Sequence, residues 1–238
     1  MERPGEARGW KFTRKAEHNA GTLTAGCIAG MIFAVLFGVC VTLVRTSVGG
    51  TSDSSGAWLA EGRGQVEVAL ALFPFAGIFF LWFIAVSRQR LGRYEDRFIS
   101  TLVLGSGLLF LGMVFVAAAL GAAILTAYSD SPAFAGSQTQ VYVQFAFSQL
   151  IGVYALRMAA VFLICQATAW LRHGLMPKWL TLLTYVVALV LLFVVGVQAW
   201  ALLIFPVWVF LVSAYLFVVT RRGGVDEAGG PEAVGPDA

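Results

Sequence analysis

One arginine stands where its neighbours give a cation no water. The stretch Gly152-Val153-Tyr154-Ala155-Leu156-Arg157-Met158-Ala159-Ala160 sets a guanidinium near the middle of an apolar run from about Phe145 to Trp170. A charge at the centre of a membrane helix costs about 2.5 to 3.5 kcal/mol on insertion scales, so such a residue normally faces the bundle interior or a water-filled cavity. At 100° per residue, Tyr154 and Thr168 fall within about 60° of Arg157 around the helix, which forms one mildly polar stripe. The chemistry open to this stripe is anion recognition, because a guanidinium presents a fork of donors matched to carboxylate and phosphate. The competing reading is internal satisfaction. In that case Glu67, the only carboxylate placed inside an apolar run, or carbonyls freed beside a proline would meet the charge.

Other chemistry lacks its residues. The two histidines, His18 and His173, lie in polar segments, so no His pair is available inside the apolar runs to hold haem. Cys27, Cys40 and Cys165 all sit within apolar runs and read as small packing residues, and no His/Cys/carboxylate group has metal-ligand spacing. Gly105-Ser106-Gly107 has part of a serine-hydrolase turn but not the full nucleophile elbow, and no base accompanies it. A phosphate-binding loop is missing too. We therefore expect no catalytic residue, no metal, no cofactor, no nucleic-acid partner and no enzymatic activity.

The elements that position Arg157 follow from composition. Of 238 residues, 59% are hydrophobic and 12% charged, about half the charge of a soluble domain. Apolar runs of about 20 residues or more cross a hydrocarbon core roughly 30 Å thick, and this chain has room for six, near 20–44, 66–86, 98–128, 145–170, 180–197 and 199–220. The last two come from one apolar stretch, Leu180 to Thr220, with a turn expected near Gln198. The expected fold class is an all-α polytopic membrane protein of six transmembrane helices. Residues 1–19 read as a cytoplasmic tail, 20–220 as the transmembrane domain and 221–238 as a Gly, Pro and acid-rich disordered tail. The first apolar run is too long for the core of a cleavable signal peptide and reads as a retained helix.

Orientation rests on the positive-inside bias. With the N-terminus inside, thirteen Lys and Arg fall on inner segments, and only Arg45 and Arg63 on outer ones. Both termini are thus expected in the cytoplasm, with membrane lipids as the first partners. The basic loop from Arg88 to Arg97 suits topology setting and anionic lipid, or docking of a cytoplasmic partner.

Two further patterns bear on shape. Gly26, Gly30, Ala34 and Gly38 put a small residue at every fourth position of the first run, a stripe that lets a neighbouring helix approach closely. It serves packing within the chain, or a homo-oligomer or partner contact. Pro74 and Pro206 are expected to kink the second and sixth runs.

The stretch Trp170-Leu171-Arg172-His173-Gly174-Leu175-Met176-Pro177-Lys178-Trp179-Leu180, followed by Phe205-Pro206-Val207-Trp208, resembles the C-terminal half of multi-pass membrane proteins common in actinobacteria. That family has no assigned activity. The resemblance covers about the last 70 residues, implies the helix count and a bacterial inner membrane, and transfers no functional residue. The functional expectation from the residues themselves is binding or transport of a small or amphiphilic anion within the bundle, with Arg157, Tyr154, Thr168 and Glu67 at the site and the two prolines at its outer entrance. The alternative is a non-enzymatic accessory or scaffolding subunit of a membrane complex.

Overall fold

In a computed structural model, the structure describes residues 6–48, 56, 58–92, 97–174, 176–193 and 199–228. Every element among them is helical. In chain order they are α1 (Glu6–Val48), α2 (Trp58–Glu61), α3 (Arg63–Gly92), α4 (Arg97–Asp130), a 3-10 turn (Pro132–Phe134), α5 (Gln138–Gln149), a π-helical turn (Leu150–Ala155), α6 (Leu156–His173), α7 (Lys178–Phe193), a second 3-10 turn (Ala199–Leu203) and α8 (Ile204–Ala228). The α5, π and α6 segments form one continuous rod.

Helix is the only local structure that satisfies every backbone group of an apolar run without help from water. The few hydroxyls inside these runs bond back to the preceding turn. Thr42 donates to the Gly38 carbonyl at 2.8 Å, Ser106 to Leu102 at 2.7 Å and Thr184 to Leu180 at 2.8 Å. Sequence also marks the ends. Ser137 caps α5 by accepting from the Gln140 N–H, and α6 stops at Gly174, whose φ of 61° lies in the left-handed region that a side chain disfavours.

Five helical stretches are long and apolar enough to cross a membrane: Thr24–Val48, Arg63–Arg88, Arg97–Asp130, Gln138–His173 and Trp200–Arg221. The expected fifth span is a shorter apolar helix, Lys178–Phe193. Its 16 described residues reach about 24 Å at 1.5 Å per residue, and the last four positions of the expected span, 194–197, lie outside the described residues. The expected turn near Gln198 lies outside the described residues, as does most of the C-terminal tail. Where the tail is described it differs from expectation, since α8 continues to Ala228. Likewise, α1 is already helical at Glu6 rather than starting near residue 20.

The two prolines do not behave alike. Pro74 lies inside α3, which continues through it to Gly92. Pro206 sits in the first turn of α8, just after the 3-10 turn, where no interior helix is broken.

Helix α1 packs against α3 and α8, α4 lies between α3 and α6, and α7 lies on α6. Gly26 and Gly30 make the first of these contacts close. A Cβ at Gly26 would come within 2.5 Å of Val86, and one at Gly30 would strike Ser213 and Phe83, whereas Gly38 has nothing within 4 Å. Ala34 is buried.

Six phenylalanines from five helices fill the centre. Phe33, Phe37, Phe80, Phe110, Phe162 and Phe205 are each at most 2% exposed, and their rings meet at centroid distances such as 4.5 Å for Phe33–Phe80 and 4.8 Å for Phe110–Phe205. Nearer the basic end, Trp170 stacks on Trp208, whose indole N–H donates to Thr184 Oγ1 at 3.0 Å. Hydrogen bonds between transmembrane helices average about 0.6 kcal/mol and reach about 1.7. Trp208→Phe removes this bond and part of the stack, so it is expected to lower stability by about 1 kcal/mol, read as the midpoint of equilibrium unfolding in mixed micelles. An unchanged midpoint would show the bond contributes nothing.

Candidate functional site

The bundle has a basic end, with Arg88, Arg97, Arg172, Lys178 and Arg221, and an opposite end where α1 runs out and α3 begins. At the basic end, Arg88 donates to Ser100 Oγ at 3.2 Å and so links α3 to α4. At the opposite end Ser47 donates to Gln65 Oε1 at 2.6 Å, joining α1 to α3. The cavity that concerns function opens at this second end.

It is a pocket of about 60 Å³ between α1, α3, α4 and the α5–π rod, lined on one side by Leu202 of the second 3-10 turn. Most of its wall is aliphatic or aromatic, from Val41 and Val44 through Phe73 to Phe147 and Ile151. Gly121 keeps the wall of α4 low; a Cβ there would lie 3.1 Å from Leu70. Phe73 forms part of the floor, and its ring lies 5.8 Å from that of Phe37, edge to face. Below the floor, therefore, the six-ring cluster begins.

The polar groups of the wall sit together in kind: Arg45, Trp58, Gln144 and Ser148. Arg45 is half-buried, and among the described residues its guanidinium makes no ion pair or hydrogen bond. Gln144 is held firmly. Its Oε1 accepts from Trp58 Nε1 at 3.3 Å and from Gln140 Nε2, and Gln140 Oε1 in turn accepts from the Gly136 N–H at 3.2 Å. Gln140 and Gln144 are one turn apart on α5 and both buried, so the chain from Gly136 to Trp58 fixes the amide. With its oxygen doubly engaged, the amide nitrogen of Gln144 remains a donor on the wall. Ser148 donates to the Gln144 carbonyl at 2.9 Å. A cation and an amide in a mostly apolar pocket are the groups that an anionic head attached to an apolar body would need. A buried unpaired cation is costly, and an anion would relieve that cost.

The residues expected at the site are elsewhere and apart. Arg157 is exposed rather than turned into the bundle, and Tyr154 beside it is 53% exposed. The reason is register. Thr168 meets the Tyr185 hydroxyl at 2.8 Å, and counting along the antiparallel pair from there brings Ala160 level with Phe193, the last residue of α7. Arg157 shares the face of Thr168 but lies about one turn beyond Phe193, so the described part of α7 does not cover it. Thr168 also donates to the Ile164 carbonyl at 2.7 Å and is thus occupied. Glu67 is paired one turn back with Arg63 at 2.6 Å, an exposed contact of the kind that contributes about 0.3 to 0.5 kcal/mol. It does not reach Arg157. Pro74 is exposed, though Phe73 next to it lines the pocket, and Pro206 is buried and not among the pocket's lining residues.

Sequence reasoning missed Arg45, Trp58, Gln144 and Ser148. Two signals were present: Arg45 directly follows a long apolar run, and Gln140 and Gln144 repeat at helical spacing. Among the described residues no group of three or more His, Cys, Asp or Glu could hold a metal.

No protein-family model, curated protein or solved structure matches this chain.

Proposed function

We propose that this chain is a non-enzymatic, six-crossing protein of a bacterial inner membrane, with both termini in the cytoplasm, that binds an amphiphilic anion in the cavity lined by Arg45 and Gln144. The observation that carries the reading is the half-buried Arg45 without a partner among the described residues, set in a mostly apolar pocket. Acidic head and apolar tail are both required by those walls. A carboxylate on an apolar chain is the simplest ligand of that kind, its head on Arg45 and only the start of its chain against Val41, Phe73 and Ile151. The phenylalanine cluster under the floor favours binding over conduction, since no polar group in it would carry an ion across. The accessory-subunit reading has less support, because Gly26 and Gly30 are already used against α3 and α8 within the chain.

The direct test is titration of the purified chain in micelles with a fluorescent long-chain fatty acid. Saturable binding, competed by unlabelled fatty acid and far less by the corresponding alcohol, is expected. Equal competition by acid and alcohol would remove Arg45 from the reading. Topology has its own test. With Cys27, Cys40 and Cys165 replaced, Ser131→Cys is expected to react with an impermeant maleimide in intact cells, and Lys178→Cys only after the membrane is opened. The reverse pattern would invert the orientation and put the cavity mouth on the cytoplasmic side.

A further inference from the structure

Arg157 and Tyr154 are both exposed on the α6 side of the bundle, away from the cavity. They follow or lie within the π-helical turn Leu150–Ala155, a local widening that occurs frequently at functional sites. Their depth can be read from the rod. Trp170 and Arg172 mark its basic end, and Arg157 lies about 20 Å along the axis from Trp170. In a hydrocarbon layer about 30 Å thick this puts its Cα about 10 Å from the far headgroups. Side chains on a helix lean toward its N-terminus, here the Gln138 end, so the guanidinium reaches toward those headgroups rather than away from them. Just below, on the last described turns of α7, Phe193 is 76% exposed and Leu189 50% exposed. An apolar wall thus lies under a cation directed toward the headgroups, and among the described residues no carboxylate pairs with that cation.

We infer that Arg157, with the Tyr154 hydroxyl, holds the phosphate of an anionic phospholipid in the leaflet at the Gln138 end, its acyl chains lying over the end of α7 along Phe193 and Leu189. Charge complementarity and fit carry this assignment. The guanidinium fork accepts a phosphate through two parallel hydrogen bonds, the tyrosine adds a third donor, and the exposed apolar residues match acyl chains. The inference rests on the membrane-crossing reading but is independent of the cavity and its ligand.

The test is native mass spectrometry of the full chain extracted from bilayers of phosphatidylglycerol and phosphatidylcholine, with the Ser131→Cys labelling used first to establish insertion. The wild-type chain is expected to retain phosphatidylglycerol in preference to phosphatidylcholine. Arg157→Gln is expected to reduce that preference about fivefold, the worth of one basic residue beside an anionic headgroup, with Arg157→Lys intermediate, Tyr154→Phe weakened less and Arg45→Gln unchanged. Because Arg157 makes no ion pair or hydrogen bond among the described residues, its substitution leaves packing intact. Undiminished retention by inserted Arg157→Gln overturns the assignment. So does displacement of the lipid by millimolar inorganic phosphate, which would make this a site for the free ion, or a wild-type dimer that Arg157→Gln splits, which would make the occupant a second copy.

Discussion

Arg45→Gln is expected to weaken binding of a long-chain carboxylate by about 10- to 100-fold. A hydrogen bond to a charged group contributes about 1.5 to 3 kcal/mol, and each 1.4 kcal/mol is a factor of ten. Arg45 is the charged residue of the cavity wall, so the loss falls on the head and spares the tail. An uncharged long-chain alcohol, weaker from the outset, should bind the variant and the wild type alike. Arg45→Lys keeps the charge and loses the fork, and should fall between the two. The measurement is the titration described above, run at two salt concentrations. The half-buried position of Arg45 limits screening, so a steep salt dependence would move the anion to the surface instead. If Arg45→Gln binds the acid as tightly as the wild type, the cavity is an apolar slot and the anionic ligand is wrong. Asp53 lies outside the described residues and eight positions after Arg45. Asp53→Asn leaving affinity unchanged would establish that this carboxylate does not compete for the cation.

Gly30→Leu is expected to be the most destabilising single change in α1, by about 3 kcal/mol or enough to prevent folding. The first atom of a side chain at Gly30 would already overlap Ser213 of α8 and lie 2.7 Å from Phe83 of α3. Ser213 and Phe83 are buried, so neither can swing out to solvent, and overpacking of this kind costs about 1 to 3 kcal/mol or more. Gly38→Leu is the control. Nothing lies within 4 Å of its added Cβ, so unfolding and particle size should both stay unchanged. A folded Gly30→Leu monomer would disprove the close three-helix contact, and a Gly38→Leu variant that loses a native dimer would give this end of the stripe to a partner.

The pair of glycines also shows what the sequence could and could not reveal. Helical character, long apolar runs and the small-residue stripe were legible because they depend on runs and periods within one segment, although six spans were expected and five described helices are long and apolar enough to cross. Which neighbour the stripe meets was not, since Val86, Phe83 and Ser213 are remote in sequence and only packing assembles them. Arg157 misled for a related reason. Its position within an apolar run was plain, but the direction in which a helix turns a residue depends on where its neighbour ends. The register set by Thr168 and Tyr185 leaves Arg157 one turn past the described part of α7. Arg45, by contrast, looked like an ordinary residue at a span terminus. Only the inward packing of α2 and α5, with Trp58 bonded to Gln144, gives it a chamber. Pro206 shows the limit for kinks: its identity was informative, its place in the first turn of α8 was set by where the 3-10 turn gives way.

The sealed aromatic centre has a consequence for kinetics. If the proposed ligand enters from one side only, its occupancy would follow the concentration there, and loading would dissipate no gradient and need no energy source. Phe80→Ala would thin the seal, and any leak of protons or small ions in reconstituted vesicles that followed would measure how much of the membrane's electrical tightness those rings supply.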